Sequence, residues 1–130
     1  MGYTHYWDTA AKKPTDENVK IMREALAAMM KLSPNTIEIN WDKSGSIGFN
    51  GIGDNAHETM VIDFTGDGAW NFCKTARKPY DKIVVACLIL MKELDIIEKW
   101  SSDGDEDDFV EGKEFLKKVI ESIDKEPVGV

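Results

Sequence analysis

The feature that most constrains this chain is IVVACLILM, residues Ile83 to Met91, a run of nine apolar side chains. It is far shorter than the ~20 residues a membrane-spanning helix needs. Pro79, just upstream, suits a first helical turn, where its missing N–H costs nothing. The helical pattern then extends to about Leu94. A helix that is apolar on nearly every side has no face to offer water, so it is expected to be buried in its own domain or shared between subunits. A chain of 130 residues can bury a real core, roughly two thirds of its unfolded surface.

The segments around this helix read as a single α+β domain over residues 1–130. An antiparallel sheet of three to five strands is expected to pack against about three helices. GYTHYW gives a first strand. Thr15 is placed to cap a helix whose first turn holds Asp16 and Glu17, favourable beside the positive end of the dipole. Val19, Met22, Leu26, Met29 and Met30 recur at helical spacing as far as about Leu32. TIEINW alternates strictly, SIGFNGIG follows a DKSG turn, and HETMVIDF ends at TGDG. These three segments are expected to form a meander. DIIEKWSS suggests a last strand, DGDEDD a loop, and Phe109 to Ile123 a final amphipathic helix. The tail, residues 125–130, is expected to fray.

Charge narrows the partners. The formal net charge is −8, and residues 101–130 contribute −6 of it through ten carboxylates against four lysines. Duplex nucleic acid is therefore not expected as a partner, since phosphate backbones call for a basic stripe. A small anion needs only a few well-placed cations. MGYTHYWD has no apolar h-region, and no segment is long enough to span a membrane, so a cytoplasmic setting is expected. Cys73 and Cys87 make no disulfide framework.

Several motifs come close and fail. GAWNFCKT has the outline of a phosphate-binding loop, but Cys73 stands where that motif needs glycine. DGDEDDFVEGKE puts Asp103, Asp105, Asp107 and Glu114 at calcium-loop positions, yet Asp108 replaces the turn glycine. Neither His5 nor His57 has a partner at metal-ligand spacing. No metal, cofactor or catalytic residue is assigned. Cys73 and Cys87 read as packed thiols.

What remains is NFCKTARKPYD, which gathers Lys74, Arg77 and Lys78 in an acidic protein; Arg77 and Arg23 are its only arginines. Cations at a helix N-terminus are locally unfavourable. Their presence calls for an offset: a carboxylate such as Asp67 or Asp81 paired with Arg77, or an anionic ligand. Aromatic residues lie near in sequence. Lys74, Thr75 and Arg77 are thus candidates to hold phosphate, and Tyr6, Trp7 and Trp70 to frame a base or sugar. His57 and Glu58 are weaker candidates for hydroxyl recognition.

MGYTHYW, HETMVI and FCKTARKPYD together resemble a family of small proteins encoded by tailed phages and prophages. The resemblance covers most of the chain, and CKTARKPYD is its most specific segment. It implies a setting in which small accessory proteins counter host defence, some by sequestering nucleotide signals. The expectation is a non-enzymatic, homo-oligomeric binding protein for a nucleotide-derived immune signal, a cyclic nucleotide or ADP-ribose derivative. The rival expectations are a hydrolase or phosphodiesterase using His5 or His57, and an inhibitor presenting the acidic C-terminal third to a protein partner.

Overall fold

The apolar run forms the interior of a helix, α2 (Asp81–Glu93), whose residues from Ile83 to Leu88 are fully buried. A computed structural model of the chain describes residues 2–125. Within them α2 is covered by the chain itself. α1 (Asp16–Leu32) contributes Met22, Ala25, Leu26 and Met29 to the core, and α3 (Val110–Lys125) contributes Phe115, Leu116 and Val119. The close approach of α3 to α2 depends on Gly112, where an added Cβ would lie 2.5 Å from Val85 Cγ1. The sequence left open whether α2 is buried in its own domain or shared; its apolar sides are covered within one chain except at Ile89, which is partly exposed. The tail beyond Lys125 lies outside the described residues.

Six strands form two antiparallel three-stranded sheets, so the fold is α+β as expected. One sheet is the meander of β2 (Ile37–Lys43), β3 (Ser46–Gly51) and β4 (Met60–Asp63). The other has the order β5-β1-β6, from β5 (Trp70–Lys74), β1 (Thr4–Thr9) and β6 (Ile97–Ser102). The capping read for α1 is present: Asn18 N donates to Thr15 Oγ1 at 3.1 Å. Asn18 Nδ2 also donates to Leu94 O at 3.0 Å, tying the start of α1 to the end of α2. No helix among the described residues is long and apolar enough to cross a membrane.

One local reading changes, and one unassigned segment gains an element. The strand expected from His57 begins only at Met60, because the Asn50 side chain takes both backbone groups of His57, at 3.0 and 3.1 Å. A local side chain has replaced the ladder there. WNFCK, to which the sequence assigned no element, is a strand. Its alternation is inverted: Trp70 and Phe72 face solvent while Cys73 is buried, so hydrophobicity gives no usual in–out pattern.

Candidate functional site

The basic stretch fastens three distant parts of the chain: the first strand, the segment around Asp54 and Glu58, and the acidic loop. Lys74 N donates to Glu58 Oε1 at 2.7 Å, and Lys78 Nζ donates to Asp54 O at 3.0 Å. The buried Thr75 hydroxyl donates to Asp81 Oδ1, an oxygen that also accepts from His5 Nε2 at 2.7 Å. His5 is fully buried, with Nδ1 lacking a hydrogen-bond partner among the described residues. Arg77 lies over the Tyr3 ring at 3.9 Å and donates to Asp108 Oδ1 at 2.7 Å. Its carboxylate partner is thus neither Asp67 nor Asp81. The guanidinium holds the Asp108 carboxyl below its ordinary range. The offset demanded by cations near a helix N-terminus is supplied twice: by Asp108 on Arg77, and by Asp81 as the first residue of α2.

This hub is built on a tight turn. Lys78 N donates to Thr75 O at 3.0 Å, and the two central residues, Ala76 and Arg77, have φ of 52° and 57°. Both lie in the left-handed region, which costs non-glycine residues roughly 1 kcal/mol or more each. The turn aims Arg77 back over Tyr3. Gly104 permits the matching approach from the other side, since a Cβ there would meet the Tyr3 hydroxyl at 2.2 Å.

The other face of the β5-β1-β6 sheet is open. Strand register sets Phe72, Tyr6 and Ser101 side by side, and below them Trp70, Asp8 and Lys99. Above them Lys74 pairs with Thr4, which Asp103 holds from the far side: Asp103 N donates to Thr4 O at 2.9 Å, and Asp103 Oδ2 accepts from Thr4 N at 3.0 Å. The rings make one surface. Tyr6 and Trp70 are near parallel, 20° apart with centroids at 6.1 Å, and Trp70 meets Phe72 at 5.2 Å. Trp70 is 60% exposed and Phe72 49%, unusual for side chains this large. Asp103 Oδ1 accepts from the Tyr6 hydroxyl at 3.1 Å and so fixes that ring. A concavity of about 350 Å³ opens beside the rings, lined by Tyr6, Asp8, Trp70, Lys99 and Ser101 above the strand backbone. That volume falls within the range of small-molecule sites.

Of the residues expected from sequence, this face gathers Tyr6, Trp70 and Lys74. The Lys74 ammonium has no carboxylate partner among the described residues. Trp7 does not join them; it is 2% exposed and packs in the core on the opposite face of β1. Thr75 is buried on Asp81, and Arg77 is engaged with Tyr3 and Asp108. His57 lies exposed before β4. Glu58 is a bracket: its side chain holds Lys74 N, and its carbonyl accepts from Tyr80 Oη at 2.6 Å and Cys73 Sγ at 3.4 Å. Burial pushes the Cys73 thiol up to about 12, so it is an inert core group. The acidic loop is likewise committed. Asp103 serves Thr4 and Tyr6, Asp105 caps the turn Glu106–Phe109, and Asp108 holds Arg77.

Sequence reasoning did not single out Asp8, Lys99 and Ser101. Their only signal is the two-residue alternation that puts Asp8 with Tyr6 and Lys99 with Ser101, and it becomes readable only once the strands are paired. The arrangement can offer an aromatic surface beside a carboxylate, a hydroxyl and an ammonium. No protein-family model, curated protein or solved structure matches this chain.

Proposed function

We propose that this chain is a non-enzymatic binding protein that takes a small, ring-bearing anionic ligand of the nucleotide type on the open face of the β5-β1-β6 sheet. The observation that carries this reading is the near-parallel pair of half-buried Tyr6 and exposed Trp70 beside a concavity of about 350 Å³. Exposed aromatic faces on a sheet accept bases by stacking, which contributes about 1–3 kcal/mol per base. Lys99 at the rim and Lys74 at the end of the ring column can receive the anionic group. From the resemblance read in the sequence to phage and prophage proteins, we propose that this ligand is a nucleotide-derived immune signal, a cyclic nucleotide or ADP-ribose derivative, sequestered to counter host defence.

The rival that uses His5 for turnover is disfavoured, because the buried His5 lies on the opposite face of β1 from the rings, where it cannot serve as an acid–base group for a ligand stacked there. Titration with adenosine 5′-monophosphate, cyclic nucleotides and ADP-ribose, followed by tryptophan fluorescence and calorimetry, tests the reading. At least one should quench fluorescence and be recovered unchanged after denaturation, and Trp70→Ala should weaken binding tenfold or more. Absence of binding by all of them, or undiminished binding by the Trp70 variant, would overturn it.

A further inference from the structure

One flank of α3 carries its charges in an order that the helix by itself does not favour. Lys113 stands near the start of α3 and Asp124 in its last turn, so each meets like charge at its end of the helix dipole. Lys117 precedes Glu121 by four positions, the weaker orientation for a pair within one helix. Among the described residues neither of these two nor Asp124 forms an ion pair, and Lys113 holds only the exposed Glu106, at 3.0 Å. A surface pair of that kind contributes little and exchanges readily. All four side chains are exposed, and their spacing puts them on one flank with Leu116 and Ile120. Ile120 is 44% exposed. With Leu116 and Ile89 it lines a groove of about 380 Å³ between α3 and α2, rimmed by Lys113, Lys117 and Glu121. Ile89 is the one residue of the apolar run from Ile83 to Met91 that the chain leaves partly exposed.

We propose that this groove is the interface of a two-fold dimer, in which α3 lies antiparallel against α3 of a second copy. In a two-fold interface every contact recurs with the roles of the two residues exchanged. Antiparallel helices therefore set Lys113 against Asp124 and Lys117 against Glu121, each pair twice. The midpoints of the two pairs agree to within one residue, so a single axis serves both. Leu116 and Ile120 of the two copies meet between the ion pairs and close the groove over Ile89. The antiparallel neighbour also brings the positive end of its own dipole beside Asp124. Parallel packing would set lysine on lysine and carboxylate on carboxylate. Any other partner must present apolar residues between a basic and an acidic end, in reverse order, and α3 itself meets that description. The net charge of −8 keeps copies apart elsewhere, whereas this stripe balances two cations with two anions. The groove shares no residue with the concavity beside Tyr6 and Trp70, so the dimer stands apart from the proposed ligand.

Sedimentation equilibrium across the micromolar range tests the proposal. The wild-type chain should be a reversible dimer that high salt weakens. Ile120→Asp, at an exposed position, should raise the dissociation constant about tenfold or more while circular dichroism shows the fold unchanged. Lys113→Glu combined with Lys117→Glu makes the stripe wholly acidic and should do the same. Adding Glu121→Lys and Asp124→Lys restores complementarity with the polarity reversed, so the fourfold variant should dimerise again. It should not pair with wild type, because an antiparallel mixed pair sets like charges together. A wild type that stays monomeric at every concentration would overturn the proposal. So would a dimer untouched by Ile120→Asp and by the double lysine reversal, or a fourfold variant that prefers wild type to itself.

Discussion

His5 Nε2 and Asp81 Oδ1, 76 residues apart, lie 2.7 Å from one another, and the Thr75 hydroxyl shares the same carboxylate oxygen. One atom thus joins the first strand, the basic turn and the first residue of the buried helix. The His5 ring is sealed from solvent and edged by Tyr3 at 5.1 Å.

Asp81→Ala should consequently be among the more damaging single substitutions outside the apolar core. It strands a buried imidazole and a buried hydroxyl, and loss of one partner from such an arrangement costs about 3 kcal/mol. Urea unfolding followed by circular dichroism measures this. A loss well under 1 kcal/mol would mean that the shared oxygen contributes little.

Arg77→Ala should leave ligand binding unchanged, because the guanidinium serves Tyr3 and Asp108 rather than the open face. Its effect should appear in pH-dependent stability. Asp108 is held below the ordinary aspartate value in the folded state by the Arg77 guanidinium, so its contribution is fully present above that ordinary value and fades as pH falls through the lowered folded value. The thermal midpoints of wild type and variant should therefore differ at pH 7 and converge below about pH 3.8. A gap that stays constant across that range would remove Asp108 from the account.

Ala76→Gly should stabilise the protein by about 0.5–1 kcal/mol. Glycine relieves the left-handed strain at φ 52°, and its greater freedom in the unfolded chain offsets part of the gain. A rise in the chemical denaturation midpoint is the expected readout; a fall would show that the Ala76 methyl group contributes more to packing than its conformation costs.

The thiols should be silent in the folded state. Cys73 and Cys87 are fully buried, and burial pushes both upward, Cys73 to about 12. A thiol-reactive dye at pH 8 should label neither until denaturant is added, whereupon both react. Rapid labelling of Cys73 in the native protein would show that β5 opens readily.

Sequence alone determined the parts whose information is local. Thr15, Asp16 and Glu17 state where α1 begins because a cap is satisfied within one turn. The meander was legible because alternation and turn residues lie within a few positions of each other. Burial of Ile83–Met91 followed from an apolar circumference that water cannot cover. Among the site residues, proximity along the chain grouped Tyr6, Trp7 and Trp70 with Lys74, Thr75 and Arg77; of these the open face holds Tyr6, Trp70 and Lys74.

Tertiary structure decided which face each side chain serves and which partner it meets. β1 alternates, so Tyr6 reaches the open face while Trp7, one residue on, is buried; nothing in the dipeptide says which way round. Arg77 is satisfied by Asp108, 31 positions away, only because a strained turn carries it across Tyr3. Asp8 joins Lys99 and Ser101 only through the pairing of β1 with β6. A one-residue slip in that pairing would exchange the two faces of the strand. Long-range register, which no local propensity encodes, turned a cluster of cations into a fastening hub and placed the candidate site on the sheet beside it.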